Sequence, residues 1–279
     1  MLFRSINSQF ALTSNEIVDY EFKIFSQWGE DGIIQYLVRN LEIENKTFIE
    51  FGIEDFFESN CRFLMMKDFW SGFVIDGSER NITKLHSSYY FFQYELATCC
   101  SFITKENIND ILAKSKFDKN VGIISVDIDG VDYHIFEAMA EWRPAIYIFE
   151  YNSNFGKTAP IAVPYDPAFV RQEKHYSNQY WGASLAAFDH LAKQRGYSIV
   201  GVNGAGSNAF YVRNDLLNDR VKATSVDACF RNMSFRDSRD RDGTLTFAGK
   251  DRRRAMMADM PVVNVVTSEI LKVSDIADS

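Results

Sequence analysis

The sequence predicts an α/β fold: a mostly parallel sheet with helices on both faces, closed by a terminal antiparallel hairpin. Three observations predict it. Short, continuous apolar runs alternate with amphipathic helical stretches over residues 26–152, the pattern of a parallel sheet covered on both sides. The runs end on acids: Glu50, Asp76, Asp127 with Asp129, and Glu150. Two last strand-like runs, 198–203 and 208–214, are separated only by Gly204-Ala205-Gly206-Ser207, which reads as a hairpin.

The elements follow in order. Residues 1–25 are weakly patterned and form an N-terminal extension. Ile33, Ile34, Leu37 and Leu41 fall at helical spacing within 26–43. A strand over 47–51 is followed by a helical stretch through Cys61 and Leu64 to Gly72, then a second strand over 72–77. A helix spans 78–88, and the aromatic run 89–98 is strand-like. Another helix covers 106–117. VGIISVDIDG, 121–130, is the clearest buried strand, its helix (132–142) is stopped by Pro144, and a strand follows over 145–152. Residues 153–180 lose all periodicity and hold three of the five prolines, the mark of a substrate loop or lid. A helix then carries Leu185, Phe188, Leu191 and Ala192 on one face and is capped by Gly196. Beyond the hairpin, 217–279 is a C-terminal extension with a helix at 250–259 and an edge strand at 261–266. No repeat appears, so residues 1–279 read as one domain.

Composition narrows the function. The chain has 279 residues, 46% of them hydrophobic, enough for a sizeable core. Net charge is −8 and the pI is about 5.1, with no basic stripe, which argues against nucleic acid. The one basic run, Arg252-Arg253-Arg254, reads as a solvated helix face. No apolar run nears the roughly 18 residues of a membrane span, and no secretory leader is recognisable. Cys61, Cys99, Cys100 and Cys229 form no C-x-x-C pair, which fits reduced thiols in a cytoplasmic protein without structural zinc.

FIEFG (48–52) and FVID (73–76), with SQWGEDGI (26–33), SVDIDGVDYHIF (125–136), IFEYN (148–152), HYSNQYWGASL (175–185) and GAGSNAFYVRND (204–215), carry a resemblance. The chain resembles the FkbM-type branch of the class I S-adenosylmethionine-dependent methyltransferases over about residues 22–216. The resemblance implies a Rossmann-like methyltransferase sheet. It also implies methyl transfer to a small polar acceptor, such as a sugar, a nucleotide-linked compound or a precursor of a bacterial surface glycan. In that family Glu50 and Gly52 match the first motif and Asp76 the acid that holds the ribose hydroxyls. The first motif departs from the family where further glycines are usual: here stands Ile53-Glu54-Asp55-Phe56-Phe57-Glu58. Cofactor contacts from Glu54, Asp55 or Asn60 would replace them.

The chemistry follows from residue type. Gly52 lets backbone approach a ligand closely. Glu50 suits the cofactor's ammonium group, and Asp76 offers two acceptors to vicinal hydroxyls. Ser26, Gln27, Glu30 and Asp31 precede the first helix; capping accounts for Ser26 and the acids, and the resemblance implies that all four also close over the cofactor. An alcohol acceptor needs a base, or a metal that lowers its pKa. Asp127, Glu150 and Asn152, with Asp129 and Asp132 nearby, end adjacent strands. They form either a Mg²⁺ site or a set of direct hydrogen bonds to the acceptor. Asp127 faces cofactor and acceptor alike. His175, in the long loop, is the candidate base, with His134 the more packed alternative. Tyr151, Tyr176, Tyr180 and Trp181 are candidate walls for the acceptor, and Asn203 and Asn208 shape the hairpin. Two other functions compete: an NAD-dependent oxidoreductase, disfavoured by the absence of G-x-G-x-x-G, and a catalytically silent member that binds a partner in a polysaccharide-assembly system. The sequence leaves oligomeric state open.

Overall fold

The computed structural model describes Ser14 and residues 16–276. After a 3₁₀ turn at Ile17–Tyr20, helix α1 (Glu30–Asn40) leads to β1 (Thr47–Phe51), α2 (Arg62–Asp68), β2 (Ser71–Asp76), α3 (Glu79–His86), α4 (Tyr89–Gln93) and β3 (Leu96–Cys100). Then come α5 (Ile108–Ala113), β4 (Ile123–Val126), α6 (Asp132–Ala138), β5 (Ile146–Glu150), β6 (Ile161–Ala162) and α7 (Arg171–Lys174). The chain continues through α8 (Leu185–Gln194), β7 (Tyr197–Val202), β8 (Asn208–Arg213), α9 (Val226–Cys229), α10 (Lys250–Met256), β9 (Pro261–Asn264) and β10 (Ile270–Lys272).

Seven strands form the main sheet in the order β3-β2-β1-β4-β5-β8-β7. All neighbours are parallel except β8, which runs antiparallel to both β5 and β7. This is a Rossmann-like α/β sheet, mostly parallel and closed by an antiparallel hairpin. Side chains alternate between its two faces with period two. In β5, Tyr147 and Phe149 enter one core while Ile146 and Ile148 enter the other. Both faces are buried, which is why the strands read as unbroken apolar runs. The strand order reverses between β1 and β4, and a crevice opens beyond the carboxyl ends of the strands at such a point.

Several expectations are corrected. The aromatic run at 89–98 opens with the short helix α4, and only its end enters β3. The C-terminal strand does not extend the main sheet. β9 pairs with β10 and with β6, so a small second sheet ties the C-terminal segment to the aperiodic stretch after β5. The arginine run is not a solvated face, because Arg253 and Arg254 are buried. Arg253 donates to the carbonyls of Phe235 (3.0 Å) and Met233 (3.1 Å), and Arg254 to those of Val273 and Ile276. The Arg253 guanidinium thereby satisfies two backbone carbonyls that lie outside any strand or helix. Among the described residues no helix is long and apolar enough to cross a membrane.

Candidate functional site

A cavity of about 760 Å³ lies at the carboxyl ends of β1, β2, β4 and β5. That falls within the roughly 300–1,000 Å³ usual for small-molecule sites.

Its first corner is the end of β1. Glu50 is buried and accepts from Ser59 Oγ (2.7 Å), Cys61 N–H (3.2 Å) and Asn60 N–H (2.7 Å). It therefore pins the returning loop ahead of α2. Burial pushes its carboxyl up, and these donors partly counter the shift. Gly52 has φ +67°, and a Cβ there would lie 1.7 Å from the carbonyl oxygen of Asp127. Glycine is thus required by the crossing of the β1 loop over the end of β4. The positions where further glycines were expected hold left-handed residues instead: Glu54 (φ 47°) and Phe56 (φ 64°).

Asp76, at the end of β2, joins that loop to α3. It accepts from Glu54 N–H (2.8 Å), Ser78 N–H (2.8 Å) and Asn81 Nδ2 (3.1 Å). A carboxylate has about four acceptor sites. Asp76 and Glu50 each spend three of them on the protein, which leaves room for about one ligand bond apiece. Gln27 and Asn60 complete this side of the cavity, and Asn60 Nδ2 is held by Ser125 Oγ at 3.1 Å.

The far side is carboxyl-rich. Asp127 and Glu150 stand at the ends of the neighbouring strands β4 and β5, and their carboxyl groups face one another across the cavity wall. Burial, then the charges of Asp129 and Asp132, pushes Asp127 well above the usual carboxylate range. Burial, then Asp127 and Asp129, does the same to Glu150. Oxygens of Asp127, Asp129 and Glu150 lie within 4.8 Å of one another. Arg171 pairs with Asp129, with Asp237 at 2.7 Å, and with the Asn178 carbonyl at 2.8 Å.

Asn208 stands opposite Glu150 in the β5–β8 register, and its Nδ2 donates to Glu30 at 2.9 Å. Glu30 also accepts from Asn203 Nδ2 (2.6 Å) and from Trp28 N–H (2.9 Å). The segment before α1 is thereby joined to the hairpin. Asp31 fixes the preceding turn by accepting from the N–H groups of Ile24 (2.7 Å), Phe25 (2.8 Å) and Ser26 (2.9 Å).

Other expected residues lie elsewhere. Asn152 is not with Asp127 and Glu150. Its Nδ2 donates to the carbonyls of Gln179 (2.8 Å) and Trp181 (3.0 Å), and its Oδ1 caps the turn at Asn154, so Asp129 takes its place in the cluster. His175 does not line the cavity; its Nδ1 meets Ser177 Oγ at 2.7 Å and its ring packs on Tyr176. His134 is packed, with Nε2 at 2.9 Å from the Val163 carbonyl. Asp132 is buried, fixes the turn before α6 through the N–H groups of Ile128 and Gly130, and is pushed up to about 6 by burial. Tyr151, Tyr176, Tyr180 and Trp181 do not line the cavity either. The aromatic residues that do are Trp28, Phe51, Phe102, Phe169 and Phe235, and Arg171, Asn208, Arg236 and Asp237 join them. Of these, Arg171 and Phe169 belong to the segment already marked as a substrate loop. The residues at 235–237 carry no pattern that would have marked them.

No family model matches the chain, and no curated protein does. Solved structures are similar to it. One is named as a candidate caffeoyl-CoA O-methyltransferase from Staphylococcus aureus (15% identity, 76% of this chain and 97% of that one, TM-score 0.46). Another is an S-adenosylmethionine-dependent methyltransferase from Clostridium acetobutylicum (12%, 74% and 97%, 0.41). A third is an O-methyltransferase from Bacillus cereus in complex with S-adenosylhomocysteine (12%, 75% and 88%, 0.40). Likeness at this level does not speak to reaction or substrate.

Proposed function

We propose that this chain is an S-adenosylmethionine-dependent methyltransferase acting on a hydroxyl oxygen of a small polar acceptor, such as a sugar or glycan precursor. One observation carries the reading. Glu50, Gly52, Asn60, Asp76, Gln27 and Asp127, from five separate stretches of sequence, line one cavity that also holds Glu150. The residual acceptor capacity of Glu50 and Asp76 fits an ammonium group and a ribose hydroxyl, and the surplus of carboxylates suits a sulfonium. The bound cofactor supplies a methyl group on positively charged sulfur, open to in-line displacement. Asp76 and the left-handed loop at Glu54–Phe56 orient the ribose side. Asp127 and Glu150 offer the carboxylate that would take the acceptor's hydroxyl proton as its oxygen displaces sulfur from the methyl carbon. Their raised pKa makes that carboxylate a stronger base than a solvated one.

A divalent metal is a second reading, favoured by the three hard-oxygen groups Asp127, Asp129 and Glu150. Their chemistry fits Mg²⁺, which would lower the pKa of a hydroxyl there. Arg171 already supplies a cation to Asp129, which makes the metal-free form the simpler one. FkbM-type kinship is supported by the joining of two of its motif stretches, through the hydrogen bond from Asn208 to Glu30.

Thermal shift and calorimetry with S-adenosylhomocysteine test the proposal. Binding is expected, with at least a tenfold loss in Asp76→Ala. Binding of NAD in place of S-adenosylhomocysteine would overturn the reading. Turnover that survives exhaustive chelation would remove the metal.

A further inference from the structure

Trp28 is the tryptophan left out of the core. It is 37% exposed, whereas Trp70, Trp142 and Trp181 are buried. Its indole lies over the cavity and stacks on Phe235, with ring centroids 5.2 Å apart and planes 9° from parallel. An exposed indole costs hydrophobic burial, so the backbones that hold these rings matter.

Both backbones are anchored. Trp28 N–H donates to the buried Glu30. Phe235 sits on a strap from the C-terminal extension. Met233 N–H donates to Ser153 Oγ (2.8 Å), Ser234 N–H to the Ala205 carbonyl (2.9 Å), and the Phe235 carbonyl accepts from buried Arg253 (3.0 Å). Asp237, two residues on, is gripped by Arg171 (2.7 Å) and Gln179 (2.8 Å). The chain thus uses buried charge to hold a stacked aromatic pair at the cavity that also carries the carboxylates of Glu50, Asp76, Asp127, Asp129 and Glu150.

We propose that the Trp28–Phe235 pair is the stacking platform for the methyl acceptor, and that the acceptor is an uncharged or cationic ring compound with hydroxyls at its edge. This rests on the reading of the cavity as a methyltransferase site. The class follows from the lining. A flat ring face, whether of a pyranose or an arene, stacks on aromatics. Edge hydroxyls suit the Asp127–Glu150 pair. An anionic acceptor meets repulsion, because the carboxylates outnumber Arg171 and Arg236 and Arg171 is already paired.

The test titrates methyl α-D-glucopyranoside, catechol and glycerol into the full chain, with and without saturating S-adenosylhomocysteine, by saturation-transfer NMR. Glycerol carries the hydroxyls without a ring. At least one ring probe is expected to bind more tightly than glycerol, and which one does so separates sugar from arene. Phe235→Ala should weaken that probe about three- to tenfold, the range for an aromatic stacking contact. Phe235→Tyr should restore it, and affinity for S-adenosylhomocysteine should stay within twofold in both variants, which also reports folding. Glycerol binding as tightly as both rings, or ring binding unchanged in Phe235→Ala, overturns the platform. Failure of S-adenosylhomocysteine to bind overturns the methyltransferase reading instead, and the ring titrations without it still decide the platform.

Discussion

Gly52 and Gly182 offer a controlled experiment. Their backbones are nearly the same, at φ +67° and +65°. They differ in what a Cβ would meet: the Asp127 carbonyl oxygen at 1.7 Å for Gly52, and nothing within 4 Å for Gly182. Alanine at either site takes on left-handed strain of about 1–2 kcal/mol, offset by about 0.4–1 kcal/mol from a stiffer unfolded chain. Gly182→Ala should therefore cost about 1 kcal/mol. Gly52→Ala adds a backbone-to-backbone collision that no rotamer change relieves, and overpacking costs about 1–3 kcal/mol or more. The expected difference is about 3 kcal/mol, or about 6–12 °C in Tm at roughly 2–4 °C per kcal/mol for a chain of this size. The β1 loop and the end of β4 must also part, which moves Asp127 and should abolish binding of S-adenosylhomocysteine. Thermal melts of the two variants with and without that ligand read both effects. Melting temperatures within about 2 °C of each other would refute the claim that Gly52 is fixed by the crossing chain.

Three further outcomes are expected. Glu30→Ala removes the carboxylate from Trp28 N–H, Asn203 and Asn208 at once, and urea denaturation should show a loss of about 3–5 kcal/mol; a loss under about 1 kcal/mol would dismiss the link as ornamental. Asp127 and Glu150 hold their proton to higher pH than free carboxyls do, so kcat/KM should fall with decreasing pH along a limb lying above about pH 4.5, the ordinary carboxylate value, and a limb at or below that value would exclude them as the base. Arg253→Ala should cost about 3 kcal/mol through two charge-assisted bonds, while exposed Arg252→Ala stays within about 0.5 kcal/mol, and equal effects would contradict the burial of Arg253.

The strands were legible because both faces of the sheet are buried, which turns each into an apolar run whose first polar residue marks its end. The same logic located Glu50, Asp76, Asp127 and Glu150, since an acid at a parallel strand's carboxyl end has the crevice beside it. It failed where no period operates. In the stretch after β5, nothing in the spacing says whether Arg171 or His175 turns inward, and the structure sends in the arginine because two carboxylates, Asp129 and Asp237, wait on either side of it. Asn152 lies two residues past its strand, where its amide closes the returning chain. Arg253 and Arg254 were misread because burial of a guanidinium depends on backbone carbonyls some 18 to 22 residues away in sequence.

The missing glycines of the first motif bear on how far letters stand for structure. A glycine signals that the backbone must take a left-handed step, yet the step is what a ligand meets. Here Glu54 and Phe56 take such steps, each at about 1–2 kcal/mol. Phe56 is fully buried, and burial of a phenyl ring is worth about 1.5–3 kcal/mol, so its strain is offset within the same residue. Glu54 gains a charge-assisted bond from its N–H to Asp76, worth about 1.5–3 kcal/mol. That bond also holds the loop against the acid proposed to orient the ribose. Two side chains thus support a backbone shape that glycines would merely permit, and the loop they make is stiffer for it. The glycines missing after Gly52 are thus replaced by left-handed residues whose own contacts hold the turn.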